Sequence, residues 1–202
     1  MGWAQIDKAD YQGAQESLTT AYKLDPTWGQ TQYLFALAEM GTENYRDAVQ
    51  SFTKALALGY DTRLLRLDYA RLLTAQEDWR EAEKQWRQAY QMNPRDLNTA
   101  LELVWFLGAD SDQPAAALEL AQSLDKQYAT IETKAVLALA YAFNGNTDKA
   151  LELTAVVINK QPNNPLAYFV RGLAAGDGAD FIKAIDIDTV GTVANWAQSK
   201  IE

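Results

Sequence analysis

The side chains that most often do chemistry are thinly represented in this chain. It carries 27 Asp and Glu, but no histidine and no cysteine. Without imidazole or thiol there is no Ser-His or Cys-His relay, no thiolate nucleophile, no disulfide, no histidine-ligated haem and no Cys/His zinc site. What remains is carboxylate chemistry, and a catalytic pair must converge on one bond. The close pairs diverge: Glu81 and Glu83, like Asp186 and Asp188, stand two apart, which on a helix sends them to different sides. Asp177, Asp180, Asp186 and Asp188 lack the spacing of a calcium loop and read as a solvated acidic edge. Gly172, Gly176 and Gly178, in RGLAAGDGAD, are followed by no Gly-Lys-Ser/Thr and preceded by no strand, so they make neither a phosphate loop nor a dinucleotide turn. They read as a helix end and a turn. The expectation is a chain with no catalytic residues, no metal and no cofactor.

Charge and composition narrow the partners. A net charge of -9, with acidic residues along the whole length, opposes binding to a phosphate backbone, which takes clustered Lys and Arg. Nucleic acid is therefore not expected, and neutral or basic protein partners are favoured. With 48% hydrophobic and 22% charged residues, this is an ordinary globular composition able to bury a sizeable core. No apolar run approaches the roughly 20 residues that cross a bilayer. The opening MGWAQIDKADYQ has no charged-then-apolar leader pattern, and Ile6 stands where a myristoylation signal takes Ser or Thr. Membrane insertion is not expected. A lack of cysteine suits either side of a bacterial inner membrane, which leaves cytoplasm and periplasm both open.

The elements that would position any site come from a repeat. Alanine occurs at 14, 48, 82, 116, 150 and 184, a spacing of 34 held without insertion. Tyr11, Tyr45, Trp79 and Phe181 sit three before it; Leu18, Phe52, Trp86 and Leu120 sit four after it. Twelve before it come Gly2, Ala36, Ala70, Val104, Ala138 and Gly172, and twelve after it Pro26, Pro94 and Pro162 alternate with Tyr60 and Tyr128. Apolar steps of three and four, as in Ala48, Phe52, Ala55 and Leu56, are helical. GTEN, AQED and NGNT are short polar turns, and proline stops the second helix because it has no amide hydrogen. Phe52, Trp86, Tyr11, Tyr45 and Trp79 are expected in the core.

The pattern resembles the tetratricopeptide repeat (TPR), best in NYRDAVQSFTKALAL, DWREAEKQWRQAYQMNP and GNTDKALELTAVVINKQPNNP. The resemblance implies an all-α, right-handed superhelical solenoid of antiparallel helix hairpins and a non-catalytic protein-binding scaffold. About six repeats occupy residues 1–187. Gln113-Pro114 and Thr147 depart from the aromatic row, and the sixth repeat loses the pattern near Asp188 and Gly191. The first repeat lacks the front of its first helix, as in a chain cut from a larger protein or capped by something missing. Residues 188–202 read as a capping helix with Asp188 or Thr189 as N-cap and Val193, Trp196, Ala197 and Ile201 on one apolar face.

In such an array the first helices line the inner surface. The row not used for packing runs Trp3, Leu37, Arg71, Trp105, Leu139 and Leu173. The row one turn earlier has Tyr33, Leu67, Leu101 and Phe169, and Met40, Thr74 and Phe143 extend the strip. Chaperone-binding members of the family carry Lys and Asn there to grip a terminal carboxylate; here Arg71 is the only cation. The strip suits an apolar or amphipathic helix of a partner, with aromatic anchors. In LELVWFLG (101–108), Leu103, Val104 and Leu107 fall on packing rows, Phe106 fills a row that elsewhere is mostly alanine, and Leu101 and Trp105 are left for the groove. An apolar surface of this extent seldom stays bare. The alternatives to a foreign partner are a missing N-terminal segment or a second copy, which would make the array a self-association or assembly module within a larger protein.

Overall fold

The structure, a computed structural model, describes residues 2–201. Its elements are α1 (Gly2–Ile6), α2 (Tyr11–Leu24), α3 (Gly29–Gly41), α4 (Tyr45–Ala57), α5 (Arg63–Ala75), α6 (Trp79–Met92), α7 (Leu97–Trp105), a π-helical turn (Phe106–Asp110), α8 (Pro114–Tyr128), α9 (Ile131–Phe143), α10 (Thr147–Lys160), α11 (Pro165–Ala175), α12 (Gly178–Ile187) and α13 (Thr192–Ile201). Among the described residues there is no strand, and no helix is long and apolar enough to cross a membrane. The fold is an all-α array of helix hairpins. It divides into two compact units, one ending at Pro94 and the other beginning at Arg95.

The hairpins follow from a recurring turn. Ala9, Glu43, Glu77 and Gly145 adopt positive φ, and the next residue, Asp10, Asn44, Asp78 or Asn146, stands as N-cap of the second helix. Three of these caps accept from the backbone three residues on: Asp10 from Gly13, Asp78 from Glu81 and Asn146 from Lys149. Each satisfies an amide that the helix start leaves without a partner. At the far end, α2, α6 and α10 stop two residues before Pro26, Pro94 and Pro162. Between caps, the buried stripe of α4 is Ala48, Phe52 and Ala55, and that of α6 is Ala82, Trp86 and Ala89. The small residues let the paired helices approach, and the rings fill what is left.

The fourth repeat departs from the period. First helices start at Arg63, Leu97, Ile131 and Pro165, 34 apart. In α8, however, the buried residues are Ala117, Ala121 and Leu124, each one later than the alanine row at 116 and the apolar row at Leu120. Ala116 and Leu120 are only half-buried. The π turn takes up the extra residue by widening the last coil of the first helix, where the Ser111 amide donates to the Phe106 carbonyl at 2.8 Å. Correspondingly, the left-handed turn residue is Asp112 (φ 53), one past the periodic position. The residue is given back after α8, where Ala129 alone, at φ 51, separates Tyr128 from the N-cap Thr130.

Two further expectations change. Phe52 and Trp86 are buried, but Tyr45 and Trp79 are each 38% exposed and Tyr11 is half-buried. These rings begin the second helix, at the hairpin end, where a neighbour covers one face only; Tyr11 lies where a methyl at Gly41 would stand. Asp180 is not part of a solvated edge. It is buried and takes two bonds from Arg171, whose guanidinium also lies 5.0 Å over the Tyr168 ring. Glu81 and Glu83 diverge onto separate cations, Lys84 and Arg87.

Candidate functional site: aromatic strips on the first helices

In the N-terminal unit the strip is tied by polar bonds. The Tyr33 ring is buried, stacked on Tyr60 at 5.6 Å and tilted against Phe52 and Trp3 at 6.2 and 6.4 Å. Its hydroxyl donates to Asp68 Oδ2 at 2.7 Å, while Asp68 Oδ1 accepts from Arg71 at 3.1 Å. Burial and the facing carboxylate push the Tyr33 phenol well above its ordinary pKa, so it remains a neutral donor. The Arg71 cation is committed to Asp68 rather than offered as a clamp. Leu67 is buried, Leu37 and Met40 half-buried, and Trp3 exposed. Thr74 faces elsewhere: its hydroxyl donates to the Ala70 carbonyl and accepts from the Trp86 indole at 3.1 Å, which ties α5 to α6.

In the C-terminal unit the strip is made of rings. Trp105, from the end of α7, meets Phe143 of α9 edge-on at 5.5 Å and Phe169 of α11 at 5.6 Å. Gly108 makes the first contact possible, because a methyl there would run into the Phe143 ring. Asp110, the last residue of the π turn, has its carboxyl held above its usual pKa by burial, an effect that the nearby Trp105 indole partly opposes. Phe169 and Leu139 are buried; Leu101, Leu173, Phe143 and Trp105 are half-buried.

One face of Trp105 is covered by the chain's own last helix. Trp196 of α13 stacks on it with centroids 3.9 Å apart and planes within 7°, and also tilts against Phe169 at 6.2 Å. Helix α13 is capped by Asp188, which accepts from the Val190 and Ala194 amides. It buries Val193 and Ala197, while Ile201, expected on the same face, is 43% exposed. Thus the structure brings Trp105, Phe143 and Phe169 together in one unit and Trp3, Tyr33 and Arg71 in the other. Asp68, Gly108, Asp110 and the stacking role of Trp196 went unread in the sequence. Only Trp196 carried a signal, as an indole on a helix outside the periodic rows.

Comparison with known proteins agrees with this fold. Residues 33–96 match a family model described as tetratricopeptide repeat. No curated protein matches the chain. Among solved structures, the chain is similar to a tetratricopeptide repeat protein from Parabacteroides merdae (16% identity, TM-score 0.73, 98% of this chain and 86% of that one). It is similar also to YrrB, a TPR protein with an unusual peptide-binding site (20% identity, TM-score 0.57, 90% and 97%), and to pilF of Pseudomonas aeruginosa (16% identity, TM-score 0.63, 92% and 85%). Residues 33–96 thus carry a tetratricopeptide repeat, and the chain as a whole shares the fold of tetratricopeptide-repeat structures.

Proposed function

We propose that the chain is a non-catalytic scaffold that holds an amphipathic helix of a protein partner against the strips of its first helices. The observation that carries this reading is the Trp105–Trp196 stack. It is a helix, presenting an indole between small side chains, lying on the surface the rows assign to a ligand. Aromatic stacking of this kind contributes about 0.5–1.5 kcal/mol beyond the area it buries, and such rings dominate interfaces where they are desolvated. The neighbour YrrB, whose own description includes a peptide-binding site, supports peptide capture on this fold. Carboxylate gripping of an acidic tail is disfavoured, since Arg71 is already bonded to Asp68 and the chain is at -9.

The test is a display library of amphipathic helical peptides selected on the full chain, with the winners labelled and titrated. Peptides with Trp or Phe between small residues are expected to win. Their affinity should fall at least tenfold in Leu37→Glu or Leu101→Glu, with the helical melting curve little changed. Peptides whose binding survives both substitutions would overturn the assignment of the strip.

A further inference from the structure

We infer that α13 is an exchangeable resident of the C-terminal strip, so that a partner helix reaches Trp105 only by taking the place of Trp196. This rests on the reading of the strips as helix-binding surfaces, and it adds which chemistry the partner presents and what opposes it.

The strip is built around an indole, and its present occupant defines the fit. Trp105 is braced on two sides: by Phe143 across the gap that Gly108 leaves and by Phe169 from α11. Its remaining ring face takes the Trp196 indole. The complementary surface is therefore a flat ring on a helix, with small residues at the neighbouring positions, as Val193 and Ala197 are here. A bulkier flank would hold the ring off the stack. The bracing falls at the one repeat that departs from the 34-residue period, at the π turn, and π turns concentrate at functional sites. The turn contains Gly108, where a methyl would run into the Phe143 ring.

The occupant packs along α12 and α11 but buries few side chains fully. Helix α13 has ten residues, below the length at which a helix persists without tertiary packing. It buries Val193 and Ala197 fully, Trp196 in part, and leaves Ile201 exposed. Its connection to α12 runs through Val190, 81% exposed, and Gly191 at φ +88, so the connection itself offers no buried contact against a swing that must release Val193, Ala197 and the Asp188 bond to the Ala194 amide. An element with few fully buried groups and a solvated connection can open locally, at less than the cost of global unfolding. A tethered occupant also competes at high effective concentration. The consequence is a threshold: weak apolar helices are kept off, while a helix that stacks better than Trp196 gets through.

The probe is a fluorescein-labelled peptide spanning residues 188–202, titrated into full-length chains. Wild type should bind it weakly, because its own α13 occupies the strip. Trp196→Ala should bind it at least ten times tighter, and adding Trp105→Ala to that variant should abolish the gain. Far-ultraviolet circular dichroism reads the stack directly: wild type should show the exciton couplet of the indole pair, Trp196→Ala should lose it, and the peptide should restore it. Leu24→Ala, 83% exposed in the N-terminal unit, serves as a control that leaves both readouts at wild-type values. Equal affinity of wild type and Trp196→Ala, or no binding by a Trp196→Ala chain that melts normally, would overturn the exchange. If library peptides still bind through Leu37 or Leu101 while Trp196→Ala changes nothing, the scaffold reading stands and the exchange falls. If the 188–202 peptide restores the couplet but no other helix binds, the scaffold reading falls and α13 is a lid specific to its own chain.

Discussion

The two compact units use one hairpin plan and finish their strips in opposite ways. In the N-terminal unit the period is kept and the strip is closed by charge: Tyr33, Asp68 and Arg71 bond to one another. Beside them the buried Arg66 is held by Asp61 on one side and Gln85 on the other. In the C-terminal unit the register slips by one in α8, and the strip is closed by rings, with a helix from outside the repeat laid over them. The contrast teaches that an aromatic in a ligand row is not by itself an open site. Tyr33 has spent its polar group and its faces within the repeats, whereas Trp105 gives one face to Trp196, a ring from outside them.

The largest effect that would break this contrast is expected at Phe169. It is buried and meets Trp105, Phe181 and Trp196, so Phe169→Ala opens a cavity beneath the stack. Chemical denaturation should show a loss of about 3–5 kcal/mol, and hydrogen exchange should show protection lost in α11 and α13. A loss below about 1 kcal/mol, with α13 still protected, would mean that the rings do not hold this unit together.

A medium effect tests the register slip. Ala117→Leu inserts three carbons where α8 is closed against its neighbours and should cost about 1–3 kcal/mol. Ala116→Leu, at a half-buried position, should stay within about 0.5 kcal/mol. The reverse order would restore the strict period and remove the π turn as a structural device.

The same slip explains how far the sequence could be read. Helix type, hairpin order and turn positions were legible because small residues, caps and prolines recur at one spacing, and each has a local physical reason. Alanine at 116 continued that spacing by coincidence, since residues 115–117 are all alanine and the pattern could not say which of them packs. Tyr45 and Trp79 were misplaced because periodicity gives a face of the helix but not how much of a ring at its first turn gets covered. Of the strip, the row positions were legible while the pairing was not. Asp68 bonds a residue 35 positions away, Gly108 meets Phe143 from within a π turn, and Trp196 lies outside every periodic row.

The smallest effect is in pH dependence, where one carboxylate from each unit should behave oppositely. Asp61, bonded to Arg66, has its pKa lowered from 3.8. Its bond therefore stabilises the fold fully above that value, and the contribution is lost as the pH falls through the folded pKa. Asp110, with its carboxyl burial-raised above 3.8, carries no penalty below 3.8, where it is protonated both folded and unfolded, and accumulates one as the pH rises through its folded value. Asp61→Asn should thus be less stable than wild type at neutral pH and converge with it in acid. Asp110→Asn should be at least as stable as wild type at neutral pH, since the neutral amide carries no penalty for burying a charge, and should also converge in acid. Both differences are expected below about 1 kcal/mol, because neither carboxylate is fully buried. Denaturation midpoints for the three proteins from neutral pH to below 3.8 decide it: if Asp110→Asn is destabilised at neutral pH, its charge grips Trp105 more than burial penalises it, and the C-terminal strip is held by electrostatics after all.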